Sequence, residues 1–204
     1  MLLDFSVSNF RSFADPTGLS MLAQPSIDRN DTDFAMDTIN AGTQVLTTSV
    51  IVGANGSGKT NFFEAIRFFK DFVLTSANAS NIGKPIEITQ NISREEDSSP
   101  YSTFTLTIEI NRTPFEYSFS CDKSKIYSEH LYEYPKGIHK PPKNLFSRET
   151  DNEGIQTYHF SRKIQNSTTI KKFTRAKHCS YLPQYPWIVN FWMNCLFLSK
   201  MVFT

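Results

Sequence analysis

The stretch IVGANGSGKTNFFEAI, residues 51–66, constrains the fold more than any other part of the chain. It joins a β-branched run to an amphipathic pattern through a loop with glycine at positions 53, 56 and 58. The spacing G-x-x-x-x-G-K-[ST] falls on Gly53, Gly58, Lys59 and Thr60. A turn that aims successive backbone N–H groups inward makes a nest for an anion. Side chains at the glycine positions would block a phosphate or forbid positive φ. A helix starting there adds unpaired N–H groups and the positive end of its dipole. Lys59 supplies a mobile cation for the β and γ phosphates, and Thr60 a hydroxyl for Mg²⁺. The pattern therefore predicts a strand–loop–helix unit that cradles a nucleoside triphosphate.

The flanking periodicities give the unit its setting. Residues 45–52, VLTTSVIV, are short and β-branched and read as a buried strand. After Gly58 the period changes. Phe62, Ala65, Ile66, Phe69 and Val73 share one face, predicting a helix of about five turns that ends near residues 76–81. Residues 2–10 alternate and predict a half-buried strand, followed by a turn at Asp15, Pro16, Thr17 and Gly18 and a second strand. Residues 25–44 are polar and read as a loop. Alternation at 101–110, 115–121, 125–134 and 154–162, with a turn at 111–114, predicts an antiparallel meander.

Composition narrows the class. With 204 residues, the length allows one domain or one domain with an appendage. A net charge of +1 gives no global field for nucleic acid or an anionic membrane. Cys121, Cys179 and Cys195 show no paired spacing, and the first ten residues lack the basic start and apolar run of a signal peptide; both point to a reducing, cytoplasmic setting. Residues 181–204 are apolar but broken by two prolines, two asparagines and Lys200, so no membrane span is expected. His130, His139, His159 and His178 have no zinc-ligand spacing with the cysteines.

GANGSGKTN followed by FFEAI resembles the loop of the ABC-type ATPase heads in SMC, RecF and OLD proteins, and FSVSNFRSF resembles their first strand. The likeness is nearest to prokaryotic AAA family ATPases, several of which belong to anti-phage or abortive-infection systems. Their middle region is similar at Tyr117, Phe119, Ile126, Glu129, Leu131 and Tyr132, then at Leu145, Phe146 and Arg148. The resemblance covers about residues 1–165. It implies an α/β fold with α+β character: the N-terminal lobe of a P-loop head, with a mixed sheet, the loop helix and an antiparallel meander over about 84–162. It implies ATP and Mg²⁺ as ligands, held by Gly53, Asn55, Gly56, Ser57, Gly58, Lys59, Thr60 and Asn61. Thr60 would contact the metal, as would Gln90, which lies where such heads place a Mg²⁺- and water-contacting glutamine. It also implies a head-to-head homodimer around ATP in a full-length member, with a nuclease partner or DNA. The absence of an N/T-K-x-D base-reading motif favours ATP over GTP.

Hydrolysis in such heads also needs an LSGGQ-type signature loop and an apolar strand ending in Asp-Glu. Neither pattern follows Gly58 here. The sequence thus predicts nucleotide binding with slow turnover by this chain alone; the alternative is a non-catalytic module that docks a protein or DNA. The chain changes character after Glu153: the last 51 residues hold no acid, seven basic residues and both tryptophans. The basic run at 161–177 reads as a solvated surface before it reads as a nucleic-acid footprint. In a shifted frame, Phe191-Trp192-Met193-Asn194-Cys195 reads Leu-Asp-Glu-Leu whatever synonymous codons were used. A frameshift upstream of residue 190 would explain both the altered tail at 166–204 and the missing motifs.

Overall fold

The computed structural model describes residues 1–23, 35–37, 44–75, 84–92 and 100–164. Strand β1 (Leu2–Ser8) alternates buried Leu3, Phe5 and Val7 with half-buried polar residues, and this period of two fixes which face meets the core. It pairs antiparallel with β2 (Thr17–Ser20) on one edge and with β5 (Ser102–Ile110) on the other. A short ladder joins β3 (Ala35–Asp37) to β4 (Gln44–Leu46). From β5 the chain meanders through β6 (Thr113–Cys121), β7 (Ile126–Glu133), β8 (Lys143–Thr150) and β9 (Gln156–Phe160). The sheet order is β2-β1-β5-β6-β7-β8-β9. Helix α1 (Lys59–Thr75) lies on its inner face. The fold class is the expected one: one loop helix over a sheet that runs into a meander. No described ladder is parallel.

Register builds the core. Phe5, Leu106, Tyr117, Leu131, Phe146 and Phe160 lie opposite one another in one row across the strands. Val7, Phe104, Phe119, Glu129, Arg148 and Tyr158 form the next row. The helix buries Phe62, Ala65, Phe69 and Val73 against this face, as its 3.6-residue period predicts, with Ile66 half-buried beside them. Phe5 meets two helix rings edge-on, Phe62 at 5.7 Å and Phe69 at 5.8 Å. Such contacts add to simple area burial.

Four expectations are corrected. The first turn is not at Asp15 to Gly18 but at residues 9–14, closed by Asn9 N donating to Ala14 O and Phe10 N to Phe13 O. Asn9 (φ 51°) and Arg11 (φ 48°) carry the left-handed backbone it needs. Gly18 instead lies within β2 opposite Ser6, where a Cβ would sit 2.8 Å from Phe5 O. Second, residues 45–52 are not one buried strand. Only Gln44–Leu46 enters a ladder, and Val50 and Val52 are 68% and 83% exposed. Val45 and Leu46 pair with β3, and residues 47–52 enter no described ladder. Third, the polar run 25–44 contains β3 and the first residue of β4. Fourth, β8 was not anticipated as a strand, and residues 84–92 form no ladder.

The remaining meander strands lie where alternation places them. The β5–β6 hairpin turns on Asn111 (φ 46°) and Arg112 (φ 66°), a two-residue turn of the kind whose twist suits a hairpin, with Pro114 already paired in β6. The expectations for residues 165–204, including most of the basic run and the apolar tail, lie outside the described residues. Among those described, no helix is long and apolar enough to cross a membrane.

The outer face of the sheet is polar, and it carries one electrostatic cost. Asp4, Thr107 and Glu116 lie in a row across β1, β5 and β6. Burial raises the Asp4 carboxyl above its ordinary range, opposed by a hydrogen bond with Ser20 and reinforced by the Glu116 charge. A group whose pKa is raised on folding gives its stability below the unfolded pKa and loses it as pH rises through the folded value. Asp4→Asn should therefore raise the melting temperature relative to wild type at neutral pH. The gain should vanish in acid, where wild-type Asp4 is neutral as well. A pH-independent difference between the two melting curves would contradict this origin.

Candidate phosphate-binding loop

Residues 53–57 form an exposed loop that follows the unpaired run 47–52, Gly58 is half-buried, and α1 begins at Lys59. Ser57 N donates to Ala54 O at 3.2 Å, closing the turn, and Phe62 N donates to Gly58 O at 3.0 Å, the first helical bond. Gly56 (φ 83°) and Gly58 (φ 95°) take backbone conformations that L side chains rarely adopt. At Gly58 a Cβ would also come within 2.8 Å of Ser12 Oγ and 3.3 Å of the Phe13 ring. Glycine is required there on both counts. At Gly53 a Cβ would meet Ser57 Oγ at 2.7 Å.

The charges suit an anion. The first turn of α1 holds no acidic residue, so no carboxylate competes for the N–H groups and dipole of the helix start. Lys59 Nζ folds back over the loop and donates to Gly53 O at 2.5 Å and Ala54 O at 2.9 Å. That position, above the loop and ahead of the helix, is where a phosphate on the loop would meet an ammonium. Thr60 is exposed in the first helical turn, one residue on. Asn55 and Ser57 are exposed on the loop itself. A group with phosphate oxygens fits the chemistry of this loop: two glycines at positive φ, one cation, and the exposed hydroxyls of Ser57 and Thr60.

Asn61 points elsewhere. Its Nδ2 donates to Ser12 Oγ at 2.9 Å, tying the helix to the turn after β1. Gln90 lies on the 84–92 segment beyond the helix, with its Nε2 donating to Pro100 O at 2.7 Å. Ser12 and Phe13 are the neighbours that reading the residues as isolated motifs did not assign. The signal was present in FSVSNFRSF, whose S-F pair borders Gly58 once the first hairpin closes. A cleft of about 360 Å³ lies beside α1, between Phe68 and Phe72 on the helix, Phe10 and Arg11 of the first turn, and Ile86 of the 84–92 segment.

No curated protein matches the chain. Residues 49–156 match the model of the family described as "AAA domain, putative AbiEii toxin, Type IV TA system". The match begins just before the loop, takes in α1 and runs through the meander as far as the start of β9. It spans just over half of the chain, which therefore belongs to this AAA-type P-loop ATPase family.

Proposed function

We propose that residues 53–60 bind ATP as its Mg²⁺ complex, and that nucleotide occupancy is what the domain uses to act on a partner. The observation that carries this reading is the loop itself: a turn through Gly56 and Gly58 at positive φ, with Lys59 Nζ folded back onto it and an acid-free helix start behind. The amides of residues 53–58 and the Lys59 ammonium would hold the β and γ phosphates, and the Thr60 hydroxyl would ligate Mg²⁺. Bound Mg²⁺ would neutralise phosphate charge. Asn55 and Ser57 would line the loop, and Asn61 would hold the first turn of the helix in place against Ser12. Gln90 would approach the metal from the segment beyond the helix.

The toxin–antitoxin wording of the family description and the likeness to abortive-infection ATPases support a role in phage defence, in the cytoplasm. In a head of this kind the ATP would be shared across a head-to-head dimer that signals to a nuclease or to DNA. Competition against a fluorescent ATP analogue tests the ligand class. ATP and ADP should displace it, whereas AMP, lacking the β and γ phosphates that the loop and Lys59 address, should be at least about tenfold weaker. Equal displacement by AMP would refute a phosphate-centred site.

A further inference from the structure

The loop's wall at Gly58 is built by Ser12 and Phe13, which belong to the turn at residues 9–14. That turn is not self-sufficient. Asn9 and Arg11 both hold positive φ, which a side-chain-bearing residue keeps only when its surroundings enforce it. The surroundings are specific. Arg11 N donates to Thr89 O at 2.9 Å, and Asn91 Nδ2 donates to Arg11 O at 2.6 Å, so both backbone groups of Arg11 are bonded to the 84–92 segment. Asn91 N donates to Asn9 Oδ1 at 3.2 Å, and Asn9 Nδ2 donates in turn to Tyr101 O at 3.2 Å. The Ser102 hydroxyl donates to Asn9 O. The Arg11 guanidinium faces Glu64 of α1 at 3.8 Å. One residue further on, Ser12 accepts from Asn61 and abuts Gly58.

We infer that Asn91 is a positioning residue for the phosphate loop: its side-chain amide holds the Arg11 peptide in the left-handed conformation that sets Ser12 against Gly58 and Asn61. The inference rests on the reading that the loop binds nucleotide. Asn91 touches no phosphate. It acts through a path of single contacts, from Asn91 to the Arg11 carbonyl, along the chain to Ser12, and from Ser12 to the first turn of α1. Without the amide donor, the Arg11 carbonyl loses its partner, the turn gains other conformations, and the wall at Gly58 is no longer fixed before the ligand arrives. Loss of pre-organisation appears as weaker binding with no ligand contact removed. Coupling runs both ways, so a nucleotide seated on the loop should also steady the Arg11 amide and its bond to Thr89.

The test uses the whole chain and Mg·ATP. Asn91→Ala removes the donor. Asn91→Asp keeps the shape but presents only acceptors to the Arg11 carbonyl. Both should bind about three- to tenfold more weakly than wild type, the range of one lost neutral hydrogen bond. Thr89→Ala, which keeps the carbonyl that accepts from Arg11, should bind as wild type. In wild type, Mg·ATP should slow hydrogen exchange at the Arg11 amide, and this response should be lost in both Asn91 variants. A packing role alone would leave Asn91→Asp like wild type, and that result overturns the inference. So does wild-type affinity in Asn91→Ala. Should the variants fail to fold, the wild-type exchange experiment decides: no nucleotide response at Arg11 overturns the inference. If wild type binds no Mg·ATP, the nucleotide reading itself falls. Binding that depends on Lys59 but not on Asn91 removes only the positioning role.

Discussion

Arg148→Ala is expected to cost about 3–5 kcal/mol, the range for breaking a buried ion pair by removing one partner. The Arg148 guanidinium meets the Glu129 carboxylate at 2.9 Å, and both side chains are fully buried. They are direct cross-strand partners on the inner face of β7 and β8, in the same row as Phe104 and Phe119. Tyr117 Oη donates to the other Glu129 oxygen at 2.7 Å. Truncating the arginine leaves a carboxylate in an apolar layer, far from water. Its desolvation is then uncompensated, and that penalty exceeds the worth of the contact itself. Domains have about 5–15 kcal/mol in all, so the single variant should be close to unfolding. The paired change Glu129→Leu with Arg148→Met removes both charges and keeps volume, and it should recover most of the loss. Urea unfolding with an unchanged slope measures both. If the pair is no more stable than the single variant, the penalty does not come from an orphaned charge.

Phe69→Ala should destabilise by a similar amount, about 3–5 kcal/mol, through a cavity. Phe69 is fully buried at the centre of the helix–sheet contact. Its ring lies 5.2 Å from Phe119, 5.8 Å from Phe5, 6.0 Å from Tyr117 and 6.4 Å from Phe104. These four rings belong to β1, β5 and β6, so the lost volume borders three strands and cannot be refilled by moving one. Phe69→Leu keeps much of the volume and should cost markedly less. Equal losses in Phe69→Leu and Phe69→Ala would point to ring-specific contacts and not to the cavity.

These two positions mark what could be read in advance. Phe69 was legible because helix periodicity is local: Phe62, Ala65, Phe69 and Val73 recur at the helical spacing, and nothing distant is needed to see it. The turn before α1 was legible because its signals are local too: Gly56 and Gly58 hold positive φ, and Lys59 opens the helix, all within a few residues. Arg148 was not legible as core. In β8 the inward positions are Phe146, Arg148 and Thr150, so the apolar alternation that reveals a strand is broken by the very pair it buries. Val50 and Val52 misled for the opposite reason. Their β-branching predicts a buried strand, yet a β-branched run is a strand only where a neighbour pairs with it, and residues 47–52 join no described ladder. The Asn9 turn lost to Asp15, Pro16, Thr17 and Gly18 on composition, because the bonds that hold Asn9 and Arg11 come from residues 89–102.

Calorimetric titration of the 204-residue chain and its Lys59→Ala variant with Mg·ATP tests the central claim most directly. Lys59 Nζ donates to Gly53 O and Ala54 O, and in the proposed site it meets the β and γ phosphates. A hydrogen bond to a charged partner contributes about 1.5–3 kcal/mol. Wild type should bind, and Lys59→Ala should bind about tenfold more weakly or worse with its melting transition retained. Equal affinity in the two proteins, or no heat of binding in wild type, would contradict the assignment of residues 53–60 as a nucleotide cradle.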